Sequence, residues 1–248
     1  MKAVVLLAGN GRRLKPYTKV CNKSLIPFGG KPLLYYTLTN LLSMNIKDVC
    51  FVLGYWARPV RQYIDANFPS IRKTYIFNKL HSSTNSLYSY FLAADYFEDQ
   101  DFVRLDGDIL FPKTILTRLQ ASNYPLVTPV QKIHKKLSPD YTVTVDKTKH
   151  RILHLGKNIK SEQSFGIAMA IEFVKAEASV NIAHSLQKLV EKGAVNEVAE
   201  YVYEHLLDPS LYYNYILLRP SERWCDIDNL FDYHLAQQIF KSYATIKK

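Results

Sequence analysis

Two sets of residues in this 248-residue chain have the types and spacing to act on phosphates. The first surrounds a pair of glycines. Six apolar residues, Ala3–Ala8, lead straight into Gly9-Asn10-Gly11, and Arg12, Arg13, Lys15, Lys19 and Lys23 follow. Glycines let backbone N–H groups turn toward a guest unobstructed. Such groups form an anion-binding concavity, and the cations beside it strengthen the grip. The second set is acidic: Asp106-Gly107-Asp108 and Asp226-Ile227-Asp228 share an i, i+2 spacing. One or two carboxylates commonly hold Mg²⁺, which neutralises charge when an anionic oxygen attacks a phosphate. Alternation along a strand lets at most one member of the first pair face a crevice squarely. Alone, each acidic pair is equally a turn or a helix cap, and the loop alone is equally a turn with surface cations. The loop is not the dinucleotide fingerprint, because the third glycine would fall at Leu14, and no P-loop pattern occurs.

The elements that must position these residues follow from hydrophobic periodicity. Ala3–Ala8 reads as a strand buried on both faces, and Asp48–Leu53, Lys73–Phe77 and Phe102–Leu105 as further strands. Between them, Pro32–Met44, Arg58–Phe68 and Asn85–Phe97 carry apolar residues at helical spacing. This alternation is that of an α/β protein, a parallel sheet with helices on both faces. Ligands on such sheets sit at the carboxyl ends of strands, where the Gly loop, Gly54, Asn78 and the Asp106/Asp108 pair all fall. The second half changes character. Tyr124–Gln131, Tyr141–Val145, Ile152–Leu155 and Phe165–Ala170 read as a mixed or antiparallel extension, with a hairpin at Asp146–Arg151. Helices are expected at Ile171–Lys192 and Val195–Leu207, then a strand at Tyr213–Leu218 and a terminal helix at Asn229–Tyr243. Lys132–Lys136 reads as a basic loop.

Composition bounds the function. A length of 248 residues suits one domain, and 48% hydrophobic with 13% aromatic residues provides a large core. A net charge of +10 fits nucleic acid, an anionic membrane surface or a small anionic substrate. The cations gathered near the first loop favour the small substrate, so nucleic acid and membrane are not the expected partners. Cys21, Cys50 and Cys225 lie far apart with no C-x-x-C pair, which argues against a disulfide framework or zinc site and fits a reducing cytoplasm. Ala3–Ala8 is too short for a signal peptide and nothing reaches membrane-spanning length. A homo-oligomer is left open.

The loop, read as A-G-x-G-x-R-L-x-P-x-T followed by a lysine, resembles the signature of nucleotidyltransferases that join a nucleoside monophosphate to a phosphorylated small molecule. Its positions here are Ala8, Gly9, Gly11, Arg13, Leu14, Pro16, Thr18 and Lys23. Two positions depart: Leu7 stands where the family usually has Ala, and Asn22 where it usually has Pro. Three later stretches, Asn85–Leu92, Leu105–Phe111 and Ile227–Tyr233, are similar to segments of bacterial choline-phosphate and 2-aminoethylphosphonate cytidylyltransferases. The resemblance implies a Rossmann-like three-layer fold with a mixed, mostly parallel sheet, that of the nucleotide-diphospho-sugar transferases. It also implies one domain over 1–248, with a nucleotide-binding half at 1–130 and an acceptor-binding half at 131–248.

Roles follow as what that resemblance implies. CTP, or another nucleoside triphosphate, would react with a phosphorylated acceptor in the presence of Mg²⁺, releasing pyrophosphate. Ala8, Gly9, Asn10 and Gly11 would approach the nucleotide, with Arg13 and Lys23 as the catalytic cations. Asp108 and Asp228 are the preferred metal ligands, with Asp226 in reserve, since related enzymes vary between positions 226 and 228, and Asp106 behind it. Asn78 and Asn85 would read base or ribose edges, or else serve as a strand end and an N-cap. Lys157 stands where relatives often carry a substrate-facing lysine. An amine on the acceptor would want an aromatic, acidic pocket, for which Tyr88, Tyr141, Phe165 and Tyr201 are candidates. Two other readings stand beside this one: transfer to a sugar 1-phosphate or polyol phosphate, and a non-catalytic nucleic-acid or regulatory module.

Overall fold

The computed structural model describes residues 1–133 and 141–241. The elements are β1 (Lys2–Leu7), α1 (Leu33–Ser43), β2 (Asp48–Leu53), α2 (Ala57–Asn67), β3 (Arg72–Phe77), α3 (Ser86–Leu92), α4 (Ala94–Phe97) and β4 (Phe102–Asp106). They continue with α5 (Thr114–Gln120), β5 (Leu126–Lys132), β6 (Thr142–Asp146), β7 (Arg151–Gly156), β8 (Gly166–Ala168), β9 (Ile171–Val174), α6 (Ala176–Glu191), β10 (Asn214–Leu217) and α7 (Leu230–Ile239). One sheet takes the order β8-β6-β7-β10-β5-β9-β4-β1-β2-β3. Strands β1 to β4 are mutually parallel, and β9 enters antiparallel between β4 and β5.

The continuous apolar run of β1 is explained by its position at the centre of three layers. Ala3, Val5 and Leu7 pack with α1 and α2 through Leu34, Leu38, Val60 and Ile64. Val4 and Leu6 point the other way, onto Leu87 and Tyr90 of α3 and Ile182 and Leu186 of α6. Burying each such side chain contributes about 1.5–3 kcal/mol, so both faces must be apolar. At the far side, β8 pairs with β5 as well as β6, so β5, β8, β6, β7 and β10 close on themselves around Val130, Val143 and Tyr215. Among the described residues, no helix is long and apolar enough to cross a membrane.

Several expected elements differ. Ile171–Val174 is a strand, not the start of a helix: all four residues are buried, and Glu172 faces Arg104 across the β9–β4 ladder. The helix expected over Val195–Leu207 shrinks to a 3₁₀ segment at Ala199–Glu204. The helix expected over Asn85–Phe97 breaks at Ala93, which caps α3. Helix α5, for which the sequence offered no separate signal, buries Ile115, Leu116 and Leu119. Of the basic run, Lys132 ends β5, while residues 134–140 lie outside the described residues.

Candidate active site

Strand β1 delivers the chain to the carboxyl edge of the sheet, where the Ala8 carbonyl accepts a hydrogen bond from the Tyr55 N–H at 3.1 Å. An atom added as Cβ at Gly9 would meet nothing within 4 Å, so this part of the loop faces open space. Gly11 is the reverse case. Its φ is +57°, and a Cβ there would lie 2.9 Å from Thr18 Cγ2 and 3.1 Å from Lys23 Cβ. Only glycine suits that conformation at that separation. The Thr18 hydroxyl donates to the Gly11 carbonyl at 2.8 Å, closing the loop back over Lys23.

Two short strands bring the acidic pairs together. Ile109–Leu110 pairs antiparallel with Cys225–Asp226, and the Ile227 N–H donates to the Asp108 carbonyl at 3.2 Å. Helix α7 then fixes Asp228. Its capping box is reciprocal: Asn229 accepts from the Asp232 N–H at 3.0 Å, and Asp232 accepts from the Asn229 N–H at 3.1 Å. Asp232 also accepts from the Asp228 N–H at 3.0 Å. Asp228 therefore stands at the positive end of a helix, which favours its anion. On the other pair, Gly107 is needed for close approach, because a Cβ there would lie 2.0 Å from Leu7 Cδ2.

Carboxylate oxygens of Asp108, Asp226 and Asp228 lie within 4.8 Å of one another. Lys23 sits among them: its ammonium donates to Asp108, lies 2.7 Å from Asp228 Oδ1 and 3.9 Å from Asp226 Oδ1. Arg13 reaches the other oxygen of Asp228 at 2.6 Å. Burial alone would lower the Lys23 pKa, but Asp108, Asp226 and Asp228 outweigh it and raise it. Burial works to raise Asp228, yet Lys23 and Arg13 hold its carboxyl below the usual range. Asp226 goes the other way, well above that range, through burial and the neighbouring Asp108. The side chain of Asp226 is 41% exposed, but its cluster-facing Oδ1 is buried without a hydrogen-bond partner, as is Asp108 Oδ1. Three converging carboxylates, two of them with a buried oxygen left without a hydrogen-bond partner, are a donor set that fits a hard divalent cation.

The fourth aspartate turns away. Asp106 lies 3.2 Å from the Arg104 guanidinium rather than in the triad, and burial raises its carboxyl well above the usual range. Arg104 is fully buried and also pairs with Glu172 and Glu200. Glu172 in turn accepts from the Tyr213 hydroxyl at 3.0 Å. This network continues outward. Burial, then Glu200 and Glu197, raise the Tyr141 phenol, and the Lys157 ammonium stands 5.2 Å from the Tyr141 ring. Tyr141 therefore lies within electrostatic reach of Glu197 and Glu200, and Glu200 is joined to Asp106 through Arg104.

Other expected site residues have structural duties. Asn78 is fully buried: its amide donates to Thr84 and Ser89 at 3.2 and 3.0 Å, and its carbonyl accepts from the Leu80 N–H, which leaves no edge for a base. Asn85 caps α3, accepting from the Ser86 N–H at 2.8 Å and donating to the Asn196 carbonyl. Phe165 packs on Tyr215 in the closed ring of strands, and Tyr201 stacks on His205 at 4.1 Å between centroids. Tyr88 is half-buried on α3 against Phe91. The sequence reading missed Arg104, Glu197 and Glu200, whose charges lie within ordinary-looking segments. It also missed His81, whose Nδ1 is buried without a hydrogen-bond partner and whose ring lies 6.4 Å from that of Tyr55.

Comparison with known proteins agrees with this arrangement. The chain is 35% identical over 122 residues to a CMP-5'-(3-aminopropyl)phosphonate synthase of Streptomyces rubellomurinus, covering 49% of this chain and 19% of that protein. It is 35% identical over 129 residues to a choline-phosphate cytidylyltransferase of Haemophilus influenzae, covering 50% of this chain and 51% of that one. The chain therefore matches about half the length, or less, of these relatives. In fold it is similar to the inositol-1-phosphate CTP transferase from T. maritima, with a TM-score of 0.77 and 21% identity over 96% of this chain and 95% of that one. That likeness carries the nucleotide-sugar transferase architecture expected from the loop. Since residues 2–239 match the nucleotidyl transferase family, and the cationic loop and acidic pairs of that match meet at one point, the chain belongs to that family.

Proposed function

We propose that this chain is a cytidylyltransferase that moves CMP from CTP to a phosphorylated amino alcohol of the phosphocholine kind and releases pyrophosphate. One observation carries the reading: Arg13 and Lys23 converge with Asp108, Asp226 and Asp228 beneath a glycine loop that opens on free space. The names of the two relatives support cytidine as the base. Tyr141, an aromatic ring within electrostatic reach of Glu197 and Glu200, supports an acceptor that carries an amine, since aromatic faces and anions stabilise ammonium groups. The free thiols of Cys21, Cys50 and Cys225 suit a cytoplasmic setting.

In this mechanism an acceptor phosphate oxygen attacks the α-phosphorus, a new P–O bond forms, and the bond to the bridging oxygen of pyrophosphate breaks. No general base is required, because the attacking phosphate is already ionised. Mg²⁺ held by Asp108, Asp226 and Asp228 would supply charge neutralisation and a template. Arg13 and Lys23 balance the charge that moves onto the leaving oxygens. Ala8, Gly9, Asn10 and Gly11 receive the nucleotide with backbone groups, and Lys157 beside Tyr141 faces the acceptor.

The test is pyrophosphate release measured with each of four nucleoside triphosphates and Mg²⁺ against choline phosphate, ethanolamine phosphate, 2-aminoethylphosphonate, sugar 1-phosphates and polyol phosphates. Turnover is expected with CTP and the amine-bearing acceptors. Turnover confined to sugar or polyol phosphates overturns the acceptor assignment, and none with any pair overturns the reading itself.

A further inference from the structure

Lys23 stands among three carboxylates, and one buried side chain ties down the chain just before it. Asn22 is 2% exposed. Its amide donates to the Leu7 carbonyl at 3.1 Å and to the Tyr55 carbonyl at 2.7 Å. Its own carbonyl oxygen accepts from the Ser24 N–H at 2.9 Å and the Ser24 hydroxyl at 2.8 Å. Four bonds thus tie together the last residue of β1, the loop after β2 and the 3₁₀ turn at Lys23–Leu25. The last two bonds bracket Lys23, and the first two anchor that turn to the rigid edge of the sheet.

We infer that Asn22 is a positioning residue for Lys23, using its four side-chain bonds to aim the ammonium into the acidic cluster. The inference rests on the proposed nucleotidyl transfer only for its kinetic readout. Its backbone makes a clean comparison available. Asn22 has φ −65° and ψ 147°, values that proline adopts without strain, so Asn22→Pro removes the side-chain bonds while allowing the backbone path.

The first measurement does not need activity. Amine-reactive labelling of the intact protein, followed residue by residue with mass spectrometry, should show Lys23 reacting roughly 10-fold faster or more in Asn22→Ala than in the wild type. This follows from loss of enforced burial, because side-chain restraint governs access. Lys19 and Lys31 should keep their rates, which general loosening of the fold would not allow. Asn22→Pro should behave like Asn22→Ala, and Asn22→Asp should be worse, since its carboxylate would face the Leu7 and Tyr55 carbonyls. The second measurement is a double-mutant cycle on transfer. Asn22→Ala should lower kcat roughly 10- to 100-fold with KM for the triphosphate nearly unchanged, and add nothing in a Lys23→Ala background. Unchanged Lys23 labelling, wild-type rates in Asn22→Pro, or fully additive losses in the cycle would each overturn the assignment. A wild type that labels as expected but transfers no nucleotide would instead count against the proposed function alone.

Discussion

The ammonium of Lys23 engages the same three carboxylates that would hold a divalent cation, and this has a measurable consequence. It donates to Asp108 and lies 2.7 Å from Asp228 and 3.9 Å from Asp226. A hydrogen bond between charged groups contributes about 1.5–3 kcal/mol. Surrendering one of them to an entering metal ion therefore weakens metal binding by roughly 10- to 100-fold. Lys23→Met keeps a long side chain and removes the charge. Mn²⁺ binding to the nucleotide-free protein, measured by calorimetry or electron paramagnetic resonance at mildly alkaline pH, should tighten by roughly that factor. Transfer in the same variant should fall by roughly 100-fold or more, because a cation beside the moving charge is lost. Asp228→Asn serves as the control and should bind Mn²⁺ more weakly than the wild type. If Lys23→Met binds Mn²⁺ no tighter than the wild type, then the ammonium and the metal ion do not compete, and the reasoning fails.

Asp108→Asn should abolish transfer while Tm stays within a few degrees, because its loss also relieves like-charge crowding; substantial residual turnover would dismiss it as a metal ligand. Gly11→Ala forces φ +57° on a residue with a Cβ and crowds Thr18 and Lys23, so KM for the triphosphate should rise roughly 10-fold or more, and unchanged kinetics would refute the loop argument. Burial lifts the Glu172 carboxyl to about 7 against the pull of Arg104, from an ordinary value of 4.5. The folded protein holds a proton there that the unfolded chain releases, so this contribution to stability is full below pH 4.5 and is lost as pH rises through about 7. Glu172→Gln should therefore gain in Tm relative to the wild type between mildly acidic and mildly alkaline buffer, and a constant difference would reject the shift. Glu200→Gln should raise KM for an amine-bearing acceptor more than for the triphosphate; equal effects would argue for a purely structural role.

The first half of the chain was readable because three of its four strands are buried on both faces and its helices carry apolar residues at helical spacing. Asp48–Leu53 was delimited from its six-residue run alone. The acidic pairs could be seen as pairs, but their meeting could not. It depends on Ile109–Leu110 and Cys225–Asp226, strands of two residues each, too short to carry any period. Strand β9 was read as helix because Glu172 interrupts its apolar run, and what makes a glutamate tolerable there is Arg104, 68 positions earlier. Tyr141 and Lys157 could be nominated, yet nothing local separates Tyr141 from Tyr201 or Phe165, since only tertiary packing decides which ring meets a carboxylate. Asn78 shows the opposite case: an asparagine at a strand end reads equally as a ligand contact or a strand-end fixture, and its side-chain bonds to Thr84, Ser89 and Leu80 favour the second.

The little ladder between Ile109–Leu110 and Cys225–Asp226 also sets the order in which the protein can come alive. Synthesis proceeds from the amino terminus, and early segments organise first. A chain still on the ribosome can lay down the parallel strands and the loop around Gly11 while Asp226 and Asp228 are not yet made. Such a chain could hold a nucleotide loosely but would lack two of its three clustered acids. The acidic cluster is complete only once the last turn before α7 has paired with Ile109–Leu110.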